Sequence, residues 1–194
     1  MLSHTISNMK TYLEFITEAL NPTDYLPIQK KSVELFLGRM QPVHKAHLAI
    51  IKMMNNPIVA LVKGAKTSLD KNKNPFDTDY QLELLKKLKT KAELIVVPTG
   101  YIPDIISLIR KEGKEVTAIY AGADRFKGYQ GQIASFNKQM PEDKQITVTM
   151  KETPRVTSAT IVRTAIIDDD IETFKKSMPK ELWGEFDKMK DILK

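Results

Sequence analysis

A short apolar run, a glycine and an amphipathic helix follow one another near the start of this chain, and they limit how it can fold. Residues 33–48 are V-E-L-F-L-G-R-M-Q-P-V-H-K-A-H-L. The apolar run at 33–37 predicts a buried strand of a parallel sheet, and Gly38 predicts the turn after it. Pro42 suits the first turn of a helix that we expect to continue to about Met54. This strand–turn–helix unit is typical of α/β proteins.

Three basic side chains, Arg39, His44 and His47, follow the predicted strand at the start of the predicted helix. The free N–H groups and the dipole of a helix N-terminus favour an anion there. His44 and His47 are spaced i and i+3, which places two of the chain's three histidines on one helix face. The pattern predicts a phosphate site, and a zinc site is a weaker interpretation because the chain has no Cys and no third His nearby.

Residues 38–47, G-R-M-Q-P-V-H-K-A-H, resemble the G-R-F-x-P-x-H-x-G-H signature of the nucleotidyltransferases related to class I tRNA synthetases. The branch they resemble most is that of archaeal-type nicotinamide mononucleotide adenylyltransferases. The resemblance implies that His44 and His47 stabilise a nucleotide triphosphate while its α-phosphate is attacked. Ala46 stands where the family has a Gly that commonly lies against the nucleotide base.

A second anion-binding pattern lies in residues 153–166, T-P-R-V-T-S-A-T-I-V-R-T-A-I. Thr157 or Ser158 is a suitable N-cap for a helix that starts there. Ser158, Thr160 and Arg163 then supply two hydroxyls and a guanidinium at the positive end of that helix. Their spacing resembles the second signature of the same family, which implies binding of the β- and γ-phosphates.

The remaining pattern of alternating strands and helices predicts a doubly wound, Rossmann-like, five-stranded parallel sheet. The family resemblance implies that this sheet is the HUP-type nucleotidyltransferase fold. Further strands are predicted at 57–62, 93–97, 116–120 and 145–150. A terminal helix is predicted at 179–193, with Trp183 on its packing face or as a docking residue.

Several polar residues follow predicted strands at the carboxyl edge of the sheet, where α/β proteins bind ligands. Lys63 follows the second strand, Tyr101 either stacks on a ring or packs on the core, and Arg125 either holds a phosphate or stays solvated at the rim. Asp124 either contacts a ligand or caps the next helix. The N-P-F of residues 74–76 and the I-P-D of 102–104 also resemble landmarks of the family.

These patterns and resemblances assign the candidate site residues. The assignments are catalysis to His44, His47 and Arg163; ATP and phosphate binding to Gly38, Arg39, Met40, Lys63, Ser158 and Thr160; and binding of the second substrate or nucleotide to Phe76, Tyr101, Asp104, Gly122, Asp124 and Arg125. No residue is assigned to a metal, because we expect Mg²⁺ to be held mainly by the ATP phosphates and water.

The predicted function is transfer of an adenylyl group from ATP to a small phosphorylated acceptor, with nicotinamide mononucleotide giving NAD and pyrophosphate. One alternative is a cytidylyltransferase, or another acceptor on the same fold. Another is a packaged phage head protein or pseudoenzyme that binds nucleotide without turnover, which Ala46 and Gln81 motivate, because the family usually has an Arg at the second position.

The chain before the predicted domain is of a different kind. Residues 1–31 form an amphipathic segment and a linker, and residues 32–194 form the nucleotidyltransferase domain. Residues 9–19, M-K-T-Y-L-E-F-I-T-E-A, resemble the capsid-targeting peptide of T4-like phage internal head proteins. The resemblance implies that residues 9–18 direct packaging and that a phage prohead protease cuts after Glu18. The alternative is a helix that packs on the domain, or a frayed tail.

Composition limits the partners. A net charge of +6 over 194 residues favours an anionic partner, but the lysines lack interleaved aromatic residues, which argues against nucleic acid. No stretch approaches the ~20 apolar residues of a membrane span. Because the chain has no Cys, an intracellular protein is the simplest interpretation, with a Cys-free secreted protein as the alternative. Together with the phage resemblance, this predicts the cytoplasm of the host cell, with packaging in a phage head and assembly into a homo-oligomer both open.

Overall fold

From Lys31 onward, the described residues form a parallel sheet between two layers of helices. The computed structural model describes residues 30–63, 73–153 and 157–194. Its elements are β1 (Lys31–Gly38), α1 (Lys45–Met53), β2 (Pro57–Val62), α2 (Thr78–Lys87), β3 (Glu93–Val97), α3 (Ile102–Lys111), β4 (Lys114–Gly122), α4 (Ala123–Asn137), a 3₁₀ turn (Glu142–Lys144), β5 (Thr149–Thr153), α5 (Ala159–Ile167), α6 (Ile171–Ser177), a 3₁₀ helix (Lys180–Glu185) and α7 (Phe186–Leu193).

The strand order is β3-β2-β1-β4-β5, and every neighbouring pair is parallel. The chain first builds the sheet outward from β1 to β3 and then returns to place β4 on the other side of β1. The connections therefore diverge between β1 and β4, and the carboxyl ends of these two strands border a crevice of the kind that binds ligands. The predicted doubly wound, Rossmann-like fold is confirmed.

The core lies on both faces of the sheet. Phe36 of β1 packs with side chains of α1, α2, α5, α6 and α7 on one face. Leu35 and Leu37 point to the other face, where they pack with side chains of α3 and α4. Alternate side chains of a strand point to opposite faces, so a continuous apolar run is what a strand covered on both faces requires.

Pro42 does not lie in the first turn of α1. The residues Gln41 and Pro42 form a turn with a cis peptide bond, and α1 begins at Lys45 with His44 as its N-cap. The prediction was wrong here because the distant Phe76 holds the side chain of Gln41 in place. The N–H of Phe76 donates to the side-chain oxygen of Gln41 at 3.0 Å, and the side-chain NH₂ of Gln41 donates to the carbonyl oxygen of Phe76 at 2.7 Å. A contact across 35 residues is not visible in local sequence.

The fifth strand was predicted too early. It is Thr149–Thr153, which pairs with residues 118–122 of β4, and not residues 145–150. Ile146 is buried in the preceding loop, where Asn137 binds both its N–H, at 2.8 Å, and its carbonyl oxygen, at 2.9 Å. The apolar alternation therefore reflected burial of a loop and not strand pairing.

The terminal helix is also different from the prediction. Trp183 lies in the 3₁₀ helix before α7 and is 41% exposed, while its indole N–H donates to the carbonyl oxygen of Met178 at 3.2 Å. Leu182 and Met189 fill the core instead.

Two further sequence predictions concern the N-terminal segment and the membrane. The proposed targeting peptide and the cut after Glu18 lie outside the described residues. Among the helices that the structure describes, none has the length and apolar character to cross a membrane.

Candidate nucleotide site

Two stacked imidazoles lie at the N-terminus of α1. His44 is the N-cap, and His47 is the third residue of the helix. The two rings are 3.8 Å apart between centroids and are inclined by 19°. The backbone N–H of His44 donates to Nδ1 of His47 at 3.3 Å, so a side chain satisfies one backbone donor that a helix start leaves open.

The same contact determines the protonation of His47. A ring nitrogen that accepts a hydrogen bond carries no proton, so Nδ1 is bare and the proton of the neutral ring is on Nε2. Burial and the neighbouring His44 hold the pKa of His47 well below its usual range. His47 is therefore a neutral imidazole whose Nε2–H is available as a donor.

The turn before α1 is made at Met40. Met40 has a left-handed backbone with φ of 49°, and its side chain is buried. The sequence had placed this turn at Gly38, where a Cβ would meet the Met40 side chain at an ordinary distance of 3.5 Å. Gly38 itself lines a cavity at the end of β1.

Phe76 and Gln81 are held by core packing and by hydrogen bonds within the protein. The Phe76 ring is only 1% exposed and packs in the core, so its backbone is what the adjoining cavity can meet. Its carbonyl oxygen accepts from Gln41 and from Gln81, each at 2.7 Å. Gln81, which replaces the expected Arg, thus ties the N-P-F segment to α2, and Gln41 ties it to the turn before α1.

The start of α5 meets that turn directly. Ser158 caps α5 and accepts from the N–H of Ile161 at 3.3 Å. Arg163 donates through Nη1 to the carbonyl oxygen of Gln41 at 2.6 Å, and its Nη2 lies 3.4 Å from the hydroxyl of Thr160. The two predicted phosphate-binding helix ends therefore meet through a hydrogen bond.

A cavity of about 780 Å³ opens beside this contact, and Arg39, Lys63 and Arg163 supply cations to it. Burial and the nearby Arg39 lower the pKa of the Arg163 guanidinium, so the two like charges lie close enough to repel each other. An anion between them would relieve that repulsion. The cavity is also lined by Gln41, Val62, Asn74, Pro75, Phe76, Asp77, Thr78, Asp79, Gln81, Ile167, Ile192, Leu193 and Lys194.

A second cavity of about 560 Å³ adjoins the first. Arg39, Val62 and Asn74 line both, and Arg39 donates to the side-chain oxygen of Asn74 at 3.3 Å. The second cavity is also lined by Leu37, Gly38, Lys73, Gly100, Arg125, Tyr129 and Gln132.

Several predicted residues are not brought to these cavities. Tyr101 is 38% exposed and precedes α3, so it does not pack as a core edge, and Asp104 is exposed in the first turn of that helix. Asp124 does not cap α4, because Gly122 does, and its carboxylate lies 3.6 Å from the Arg125 guanidinium on the surface.

Among the described residues, some of those assigned to phosphate binding do not line these two cavities, and their assignment stays a prediction. The lining residues do not include Met40, Gly122, Ser158, Thr160 or the two histidines.

No group of three or more His, Cys, Asp or Glu in the described ranges is placed to hold a metal ion. The carboxylates at the first cavity are those of Asp77 and Asp79. Asp77 already accepts from the N–H of Tyr80 at 2.7 Å as the N-cap of α2.

Sequence analysis missed Gln41, Tyr129 and Gln132. Arg125, Tyr129 and Gln132 are spaced i, i+4 and i+7, which is one stripe of a helix. This signal was present in the sequence, but α4 itself had no clear apolar periodicity, and Tyr129 is its one fully buried residue. Gln41 gave no local signal because its partner is distant.

Three comparisons with known proteins bear on this site. The sequence profile described as cytidylyltransferase-like matches residues 35–165. A search of the curated proteins gives no match.

The fold resembles solved structures at low sequence identity. One is nicotinic acid mononucleotide adenylyltransferase of Plasmodium falciparum complexed with APC, with a TM-score of 0.56, 12% identity, and coverage of 84% of this chain and 97% of that one. Another is TmcAL of Thermotoga maritima bound with alpha-thio ATP, with a TM-score of 0.52, 12% identity, and coverage of 81% of this chain and 56% of that one. This chain therefore spans little more than half the length of TmcAL, and both likenesses concern the fold.

Proposed function

The chain belongs to the cytidylyltransferase-like family of nucleotidyltransferases, and on this basis we propose that it transfers the adenylyl group of ATP to the phosphate of nicotinamide mononucleotide. The products are NAD and pyrophosphate. The observation that carries the proposal is that Arg39 lines two adjoining cavities. Two anionic substrates can then meet at one fixed cation.

The reaction requires positioning and charge neutralisation more than acid–base chemistry. An oxygen of the acceptor phosphate attacks the α-phosphorus of ATP, and the bond from that phosphorus to the bridging oxygen of the β-phosphate breaks. A phosphate monoester is largely a dianion at neutral pH, since its second pKa is about 6. The nucleophile therefore needs no general base, and the bond that breaks releases pyrophosphate as an anion.

The residues of this chain match those needs. The neutral His47 donates from Nε2 to the oxygen that gains charge, at the positive end of α1. Arg39, Lys63 and Arg163 hold the departing pyrophosphate, with Ser158 and Thr160 at the start of α5.

Nucleotidyltransferases of this kind generally use a divalent metal with ATP. When bound, Mg²⁺ supplies further positive charge to the phosphate oxygens. Two cavity carboxylates, one of them engaged as a helix cap, suit an ion held mainly by phosphates and water.

The test is release of pyrophosphate from ATP with Mg²⁺ and a panel of acceptors. The panel contains nicotinamide mononucleotide, nicotinic acid mononucleotide, a phosphorylated alcohol and an acceptor-free control. We expect release with nicotinamide mononucleotide and formation of NAD in equal amount. Release only with another acceptor would show that nicotinamide mononucleotide is not the substrate and would identify the acceptor. No release with any acceptor would contradict the enzymatic proposal.

A cytidylyltransferase is the second candidate, and Ala46 favours it. Its methyl group lies in the first turn of α1, and the residue is buried with 8% exposed. If a base lies against this position, as the family resemblance implies, the methyl narrows the space and a pyrimidine fits more easily than a purine. Replacing ATP by CTP in the same assay separates the two, because this candidate requires the higher kcat/KM for CTP.

A packaged protein without turnover is the third candidate. Gln81 supports it, because its amide is engaged with the carbonyl oxygen of Phe76 and brings no cation to the cavity. The resemblance of residues 9–19 to a capsid-targeting peptide supports packaging in a phage head after cleavage behind Glu18. Mass spectrometry of purified virions tests this, since packaging predicts a chain that begins at Ala19 and an intact N-terminus in virions contradicts the cleavage.

A further inference from the structure

Tyr129 is a buried polar residue that the predicted chemistry does not use. It lies on α4, is 9% exposed, and packs in the core cluster between the sheet and helices α3 and α4. It also lines the second cavity. None of the described residues forms a hydrogen bond with its hydroxyl. The hydroxyl is nevertheless not one of the fully buried polar atoms without a partner, so it meets the solvent of the cavity and can donate to a ligand there.

The positive charges of two arginines from different parts of the chain affect the pKa of this hydroxyl. Arg125 lies one turn earlier on the same face of α4, and Arg39 reaches the cavity from the end of β1. Burial raises the pKa of Tyr129, Arg125 and Arg39 oppose that rise, and Asp124 adds to it, with the pKa remaining above its usual value. The phenol is therefore protonated at neutral pH and acts as a donor.

The side-chain amide of Gln132, which also lines this cavity, already uses its oxygen in a hydrogen bond. The side-chain oxygen of Gln132 accepts from the N–H of Ile102 at 2.8 Å, which orients the amide and leaves its NH₂ group as the remaining hydrogen-bonding part. The polar lining of this cavity on α4 thus consists of donors and cations: a guanidinium, a phenol O–H and an amide NH₂. Such a set fits a ligand rich in acceptor oxygens and carrying negative charge.

We propose that Tyr129 binds the acceptor of the reaction, donating its hydroxyl hydrogen to a phosphate monoester held between Arg39 and Arg125 in the second cavity. The proposal rests on the proposed function and adds a residue and a ligand group to it. The ligand is a small phosphorylated sugar or mononucleotide, and a volume of 560 Å³ lies within the roughly 300–1,000 Å³ of typical small-molecule sites. The phosphate then lies beside Arg39, which the two cavities share.

The test uses the full chain and calorimetric titration with ribose 5-phosphate, with ribose as the probe that lacks the phosphate. The variant is Tyr129→Phe, which removes only the hydroxyl. The matched control is Ser135→Ala, which removes an exposed hydroxyl from the same helix. We expect ribose 5-phosphate to bind the wild-type chain and the control equally, ribose to bind neither, and Tyr129→Phe to bind at least about tenfold more weakly, as for a lost hydrogen bond to a charged group.

Stability measurements separate a ligand-binding role from a structural one. A hydroxyl without a partner in the ligand-free protein contributes nothing to folding, so Tyr129→Phe should be as stable in urea as the wild-type chain, or more stable. A clear loss of stability would show that the hydroxyl has a structural partner and would overturn the proposal. Failure of ribose 5-phosphate to bind the wild-type chain, or unchanged binding in Tyr129→Phe, would also overturn it.

The pyrophosphate assay distinguishes this proposal from the proposed function. If ATP and nicotinamide mononucleotide yield pyrophosphate and the Tyr129→Phe variant has an unchanged KM for the acceptor, the enzymatic function stands and the role of Tyr129 is refuted. If ribose 5-phosphate binding depends on Tyr129 but no acceptor in the panel supports turnover, the phosphate site stands and the proposed reaction fails.

Discussion

His47 has two separable roles in this structure, and substitutions can remove them one at a time. Its Nδ1 accepts the backbone N–H of His44 at 3.3 Å, which is a structural contact. Its Nε2–H is the proposed donor to the reacting phosphate. An Asn side chain places its oxygen near the position of Nδ1, and a Gln side chain places its NH₂ near the position of Nε2. His47→Asn therefore keeps the cap and loses the donor, and His47→Gln does the opposite.

The two roles predict different magnitudes. Loss of a preorganised donor to developing charge lowers kcat by about 10²–10³-fold. Loss of a helix-capping contact costs about 1 kcal/mol of unfolding free energy, which lowers Tm by roughly 2–4 °C in a chain of this size. We expect His47→Asn to be stable and nearly inactive, His47→Gln to be less stable and to retain more activity, and His47→Ala to lose both.

The assays are pyrophosphate release under saturating ATP and acceptor, and urea unfolding followed by circular dichroism. Lys52→Ala is the control, because it changes an exposed side chain of the same helix. The reasoning is refuted if His47→Asn and His47→Ala both keep kcat within about threefold of the wild-type value, since neither supplies the donor.

Three further predictions follow from the same contacts. The folded-state pKa of His47 is held well below 6.5, so the unfolded chain binds more protons than the folded chain as the pH falls through 6.5. The contribution of His47 to stability should therefore be complete above pH 6.5, and below it the free energy of unfolding should fall by up to about 1.4 kcal/mol per pH unit. Urea unfolding at pH 7.5 and 5.5 checks this, and an equal fall in the unfolding free energy of His47→Asn would contradict it. Arg163→Lys loses the planar group that reaches both Gln41 and Thr160, and we expect kcat/KM for ATP to fall roughly 10- to 100-fold. An unchanged value would remove Arg163 from the site. Gln41→Ala breaks two buried hydrogen bonds to Phe76 and should cost roughly 2–3 kcal/mol in urea unfolding, against no measurable change for the exposed Gln139→Ala.

Local sequence was sufficient for those elements whose signals lie within a few residues. The predicted strands at 57–62 and 93–97 have the bounds found in the structure. Of the two N-caps predicted for the helix at 158, Thr157 or Ser158, the structure has Ser158, which accepts from a backbone N–H of its own helix. Apolar runs and caps are short-range features, so no tertiary contact is needed to recognise them.

Glu34 shows what short-range features leave out. It is the one charge in the apolar run of β1 and is 5% exposed. Its carboxylate binds the ammonium of Lys151 at 2.7 Å, the hydroxyl of Tyr120 at 3.1 Å and the N–H of Asn55 at 2.7 Å. Lys151 belongs to β5 and Tyr120 to β4, so only the order of strands in the sheet explains how a buried carboxylate is stabilised.

The candidate site divides in the same way. The sequence by itself determined the fold class, the helix end that carries His44 and His47, and the second helix end at Ser158, because spacing along one helix or one turn specifies these. Only the tertiary structure decided that Arg163 reaches Gln41 across 122 residues, that Phe76 belongs to the core and Tyr129 to a cavity, and that Arg39 is common to two cavities. Each of these depends on which elements the sheet order places side by side, and that order results from packing of the whole domain and not from any one segment.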